Sequence, residues 1–210
     1  SASCLSQGFH YDKRKWTQAH IKWLKSLALS GLDREMLNEY LITYEYQTNR
    51  IESFDQKINE LASETAYVEK VKKPVCFLGV KTHTALSCLV ETGDFRRFAK
   101  GNIYSAYLRL VPGEDSSSDN INRLSITKAG NSHLRTLLAE ASRGICKGRV
   151  GHKSKDLKAR QSGNPPEVIA YADKANERLR RKYYKMIRQG KKKNVAVTAV
   201  ARELACFIWA

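Results

Sequence analysis

Apolar residues recur at helical spacing along most of the chain. Trp16, Ala19, His20, Trp23 and Leu24 fall on one face and Leu27 extends it, which predicts a helix over residues 15–24. After Gly31 the period lengthens. Leu37, Tyr44, Ile51, Ile58 and Thr65 repeat every seven residues, and Tyr40, Gln47, Phe54, Leu61 and Val68 follow each by three. That is an a/d seam with Gln47 as a polar interruption. Such a seam packs either on a partner helix or on its own domain, and its length favours a partner. Pro74 breaks the pattern. Residues 75–93 then read as helix, tight turn, helix, and 94–110 as a short helix with aromatics inward. Asn131 is placed to cap a helix in which Leu134, Leu137, Leu138, Ala141 and Ile145 share a face. The polar, basic stretch 147–166 reads as a mobile segment. A basic helix is predicted over Glu167 to Arg188, ended by Gly190, and a nearly all-apolar, buried helix over Val195 to Trp209. No stretch alternates well enough for a sheet of any size. The expected fold is mainly α: a helical linker or coiled-coil segment over 1–70, then a compact helical domain over 71–210 with a helix-hairpin-helix-like turn.

With 210 residues, 42% of them hydrophobic, the chain can hold one or two domains. No apolar run approaches the ~20 residues of a membrane span, and no signal-peptide pattern opens the chain. A cytoplasmic, nucleoid-associated protein is expected. Ser1-Ala2 reads as a preparation remnant, so the chain is expected to be a piece of something longer. Cys4, Cys76, Cys88, Cys146 and Cys206 are odd in number, widely spaced and without a CxxC, which predicts buried reduced thiols and no zinc site. The five histidines pair with no cysteine or carboxylate at ligand spacing.

Charge sharpens the picture. Residues 1–70 carry nine Lys/Arg against ten Asp/Glu, a net of −1. Residues 71–146 carry eleven against six, a net of +5, and residues 147–193 sixteen against four, a net of +12. A +12 block in 47 residues points to a polyanion, because neutralising phosphates releases counterions. Candidate contacts are Lys147, Arg149, Lys153, Lys155, Arg178, Arg180, Arg181, Lys182, Lys191, Lys192 and Lys193. Gly79 and Lys81 lie in the Gly-hydrophobic turn, whose backbone N–H groups either meet a DNA phosphate or serve a structural helix turn.

Between a Pro-Gly turn and the Thr127-Lys128-Ala129-Gly130-Asn131 run stand three serines, Ser116, Ser117 and Ser118. A hydroxyl near cations and a helix N-terminus suits nucleophilic attack on phosphate. A serine run in a loop is otherwise a solvated connection.

Four segments together resemble one family: WTQAHIKWLKSL (Trp16–Leu27), ETGDFRRFAKGNIYSAYLRLVP (Glu91–Pro112), ITKAGNSHLRTLLAEA (Ile126–Ala141) and NVAVTAVARELACFIWA (Asn194–Ala210). The resemblance is to insertion-sequence transposases with a Holliday-resolvase-like DEDD half followed by a serine-bearing half, a family understood as bridge-RNA-guided DNA recombinases. It implies that this chain is the linker helix plus the C-terminal half, with the DEDD half upstream. It implies Mg2+ on that upstream half and no cofactor here. The implied partners are DNA, a structured bridge RNA and further copies of the chain through the heptad helix, with no membrane. Ser116 and Ser117 fall on the family's paired serines, and Ser117 matches the nucleophile. Ser118 stands where glycine is usual, the family's basic run shrinks to Arg123 beside Ile121 and Asn122, and Leu124 replaces a frequent glycine. Ser116 and Ser118 stay open as alternatives. Arg123, Lys128 and Arg135, with Asn131 at the helix start, are the candidates for holding phosphate charge. The resemblance implies that this part alone cuts nothing. A purely nucleic-acid-binding module remains the rival.

Overall fold

The computed structural model describes residues 8–114, 123–126 and 130–210. They form a mainly helical protein: α1 (Gln18–Ser26), α2 (Gly31–Ser63), α3 (Val68–Lys72), a 3-10 turn (Pro74–Cys76), α4 (Thr82–Thr92), a second 3-10 turn (Phe95–Arg97) and α5 (Gly101–Tyr107), then α6 (Ser132–Cys146), α7 (Lys155–Gln161), α8 (Pro166–Arg188) and α9 (Lys193–Trp209). One short antiparallel pair, β1 (Pro112–Glu114) and β2 (Arg123–Ile126), joins Pro112 to Ile126 and Glu114 to Arg123. The chain divides into two compact units, Ser1–Gln56 and Lys57–Ala210. The division falls inside α2, upstream of the boundary expected near residue 70.

In the first unit, Thr17 caps α1 by accepting from the His20 N–H (3.2 Å). Ile21, Leu24, Leu27 and Leu41 form a small buried cluster flanked by Phe9, Trp23, Leu37 and Tyr44. At the other end of α1, the Arg34 guanidinium donates to the Leu27 carbonyl and so satisfies an orphan acceptor there.

The heptad seam is only partly spent on the chain itself. Leu37 and Tyr44 pack on the first cluster and Ile58 on the core of the second unit. Tyr40, Ile51 and Phe54 stay more than half exposed, at 67, 60 and 51%. The Arg50 guanidinium lies 5.6 and 5.5 Å from the Tyr46 and Phe54 ring centres. The helix stops at Ser63, short of Thr65, and Val68 opens α3 instead.

The second unit has a dry core. Tyr104, Leu108, Leu134, Leu138, Ile145, Leu179, Val200 and Leu204 are each fully buried. Helix α9 runs through it and packs on α5, α6 and α8. Of its inward positions Ala196, Val197, Val200, Ala201, Leu204 and Ala205, all but Leu204 are small or β-branched, which lets neighbouring backbones approach closely. A Cβ at Gly101 would meet Cys206 at 3.0 Å. The Trp209 indole N–H is shared between the Phe95 and Phe98 carbonyls, 3.2 and 3.1 Å away. Cys76, Cys88 and Cys146 are buried free thiols, and burial pushes the Cys88 thiol up to about 12.

Two local readings need correction. The stretch 147–166 is not uniformly irregular: Ser154 caps α7, whose Arg160 reaches the Val75, Phe77 and Val80 carbonyls (2.6, 3.4 and 2.5 Å). The tight turn before α4 is entered from a 3-10 turn, because α3 ends at Lys72 and Pro74 follows.

Candidate nucleic-acid interface

The serine loop sits in sequence between β1 and β2. Ser116, Ser117 and Ser118, and Lys128 further on, lie outside the described residues, and of Arg123 only the backbone, in β2, is described. What is described is the entry to α6. Gly130 has φ +105°, and a Cβ there would come within 2.8 Å of the Tyr107 carbonyl and 2.7 Å of the Arg109 side chain, so only glycine fits without strain. Asn131 then caps α6 by accepting from the Leu134 N–H (2.9 Å). Its amide nitrogen donates to Glu91 Oε2 (2.7 Å), while Glu91 Oε1 lies 2.5 Å from His133 Nδ1. Arg135 donates to the Leu108 carbonyl (3.4 Å). Asn131 is therefore engaged in fixing the helix start. Glu91, 40 and 42 positions before Asn131 and His133, meets them only through the fold. Sequence reading singled out neither Glu91 nor His133, although both lie within the segments that carry the resemblance.

The turn before α4 is used for packing. Gly79 has φ +83°, and a Cβ there would collide with the Ala141 carbonyl of α6. A Cβ on Gly144 would lie 3.2 Å from the Gly79 Cα, so the two glycines mark a close approach of turn and helix. The Leu78 N–H goes to Asn176 Oδ1 (2.9 Å) and the Val80 N–H to the Phe77 carbonyl (3.2 Å). These two donors of the turn are internally satisfied and are not offered to a phosphate. Lys81 is exposed at the start of α4.

The basic block splits by role. Arg180, expected at the nucleic-acid surface, is 5% exposed. Its guanidinium donates to the carbonyls of Ile145 (2.9 Å), Lys147 (2.9 Å), Arg149 (2.5 Å) and His152 (2.9 Å). Burial lowers its pKa. This arginine ties 145–152 to α8 instead of meeting a ligand. Its amphipathic position among Ala172, Ala175, Asn176, Leu179 and Tyr183 was the available signal.

Arg178 and Lys182 both pair with Glu203. Burial would raise the Glu203 pKa, but the hydrogen bonds from Lys182 and Arg178 win and hold it below the ordinary glutamate value. Arg181 pairs with Glu177, and Lys153 with Asp173. Lys147, Arg149, Lys155, Lys191, Lys192 and Lys193 are exposed. They leave a cationic surface suited to backbone phosphates, which need charge and reach rather than a fixed pocket.

Among the described residues, no group of three or more His, Cys, Asp or Glu side chains could hold a metal ion. The divalent metal that the resemblance implies thus finds no ligand set in them. No described helix is long and apolar enough to cross a membrane.

Residues 77–157, from the packed turn into the start of α7, match the model of the transposase IS116/IS110/IS902 family. A putative transposase, y4qE, of Sinorhizobium fredii is 32% identical over the whole chain and 50% of its own length. The transposase for insertion sequence element IS1533 of Leptospira borgpetersenii is 33% identical over 80% of the chain and 49% of its own length. The transposase for insertion sequence element IS1111A of Coxiella burnetii is 32% identical over 69% of the chain and 41% of its own length. The chain spans about half the length of the curated relatives it matches. The chain is thus similar to the IS116/IS110/IS902 transposase family through its central helices, and three curated transposases align along 69 to 100% of it.

Proposed function

We propose that this chain is the serine-bearing part of a DNA transposase that joins and exchanges strands by phosphoryl transfer. The observation that carries the reading is the match to a putative transposase over the whole chain and to insertion-sequence transposases over 80 and 69% of it, together with a helical body that presents a cationic surface. Ser117 Oγ attacks a DNA phosphodiester. A bond forms between that oxygen and phosphorus, the bond to one deoxyribose oxygen breaks, and the serine proton leaves as the departing hydroxyl gains one. A hydroxyl of a second strand later attacks the phosphoserine and releases the serine, conserving the bond without ATP. The exposed lysines and Arg149 hold the backbone, and Arg123, Lys128 and Arg135 gather charge near the reacting phosphate. A divalent metal held elsewhere in the full-length protein would activate the weak alcohol nucleophile; the described residues provide no group of three or more ligands for it. A structured RNA is the proposed second nucleic-acid partner.

The test uses the full-length protein with its RNA, DNA and Mg2+. Ser117→Ala is expected to abolish strand exchange and any denaturant-resistant protein–DNA adduct while DNA binding persists; Ser116→Ala and Ser118→Ala retain the adduct. Loss of the adduct in a neighbouring variant instead moves the nucleophile by one position. If none of the three matters, the chain is a binding module without serine chemistry.

The exposed Ile51 and Phe54 on α2 support self-association through that helix. In sedimentation velocity the chain is expected to be oligomeric and Ile51→Asp monomeric, because an unpaired charge in the seam is strongly unfavourable. A monomeric wild type at high concentration defeats the idea.

A further inference from the structure

The first unit carries a feature that strand exchange by Ser117 does not use. Ahead of α1, Trp16 adopts φ +57°, a left-handed backbone that is costly for a bulky side chain. Its neighbours pin it there. The Trp16 N–H donates to His20 Nδ1 (3.1 Å), and the Thr17 hydroxyl donates to the Arg14 carbonyl (3.1 Å) while capping α1. The strain does not serve to bury the indole, which remains 60% exposed. It sets the ring at the mouth of a cavity of about 210 Å³, whose lining includes Tyr11, Lys15, Trp16, His20, Trp23 and Tyr40.

Aromatic faces converge here. The Trp16 ring stacks on Tyr44 at 5.4 Å and 26°, His20 stacks on Trp23 at 5.8 Å and 19°, and Tyr11 lies 4.9 Å from Trp23. Tyr40, which also lines the cavity, is 67% exposed. An apolar core does not leave its largest rings so open at a strained residue. A site that receives a flat ring does.

Charge selects the kind of ring. Five of the nine Lys/Arg within residues 1–70 fall between Lys13 and Lys25, with no acidic residue among them, although residues 1–70 are net acidic. Lys13, Arg14 and Lys15 are all exposed, and Lys15 lines the cavity. Stacking faces with cations alongside are what an unpaired nucleobase and its flanking phosphates require.

We infer that the Trp16–Tyr40 cavity is a stacking pocket for one unpaired nucleobase of a single strand, with Lys13, Arg14 and Lys15 contacting the adjoining phosphates. The inference rests on the proposed function only in taking nucleic acid as the partner. A duplex presents no free base face, so the pocket discriminates single strands from duplex, whereas the basic surface of the second unit does not.

The experiment measures binding of this chain to short single-stranded oligonucleotides in ribo and deoxyribo form, to the same strands with one central abasic site, and to duplex DNA. The abasic strand is expected to bind more weakly than its parent. Trp16→Ala is expected to weaken binding of the base-bearing strand by roughly tenfold to a hundredfold, the range that one base–aromatic stack supplies. It should leave duplex binding unchanged, and Trp16→Phe should restore most of the loss. Tyr40→Ala, at an exposed position, gives a smaller loss in the same direction with no cost to folding, which guards against an unfolded Trp16 variant. A larger abasic penalty in the ribo strand names RNA as the source of the base, and in the deoxyribo strand DNA. Equal binding of abasic and base-bearing strands overturns the pocket while duplex binding leaves the proposed function standing. Failure to bind any of the nucleic acids overturns both.

Discussion

In residues 13–25 the cations stand largely in solvent, and Lys25 is drawn to an acid, Glu45. In residues 147–193, sixteen basic residues look like a far stronger surface, yet many are consumed by the fold. Arg160 and Arg180 are spent on backbone carbonyls, and Lys153, Arg178, Arg181 and Lys182 on carboxylates. The denser block needs internal partners because α8 is half buried and carries its charges into the core margin. A buried guanidinium is tolerable only when its donors are satisfied. Formal charge thus overstates what the second region offers to phosphate and understates what the first region offers.

The contrast breaks most sharply at Arg180. Arg180→Ala removes the guanidinium donor from four carbonyls and is expected to cost about 3 kcal/mol of stability. It should barely change the slope of log K against log salt for duplex DNA. Combined replacement of Lys191, Lys192 and Lys193 by alanine should do the reverse, flattening that slope by about 2–3 units with little change in melting. Chemical denaturation and salt titrations on the same samples separate the two, and a slope change in Arg180→Ala would show that its charge does reach DNA.

A smaller effect sharpens the other side. Burial, aided by the charge of Lys15, lowers the His20 pKa from its ordinary 6.5. The neutral imidazole accepts the Trp16 N–H at Nδ1, which requires the tautomer protonated on Nε2. A lowered pKa in the folded state means that the contribution to stability is complete above pH 6.5 and is lost as pH falls through the lowered value. Acidification from about pH 7.5 to about pH 5 is therefore expected to lower the stability of the first unit and to change the Trp16 environment in tryptophan fluorescence. His20→Gln should remove the pH dependence. Identical melting of the wild type across that range would mean that His20 does not hold Trp16.

Much of the helical order was legible in the chain itself. The 3.6-residue spacing through Leu134, Leu138 and Ile145, the cap at Asn131 and the stop at Gly190 act over one or two turns, so neighbouring residues decide them. The same holds for the all-apolar last helix, which had nowhere to go but the core. The small helix Lys155–Gln161 escaped notice because its seven residues hold few apolar positions, and its order comes from Arg160 and Gln161 reaching the carbonyls at 75–80. At the candidate site, the exposed lysines and the Asn131 cap were legible, while the meeting of Glu91, Asn131 and His133 was not.

Sequence by itself determined the helices, their caps and breaks, the cationic excess and the likeness to the transposase family, since these are properties of adjacent residues or of their order. Tertiary structure alone decided that Arg180 is a clamp rather than a contact and that Gly79 is a packing point against Ala141. It also decided that Trp16, Tyr40 and Lys15 share one cavity. Each of these depends on which faces meet across the fold, and a local periodicity carries no record of what lies opposite it.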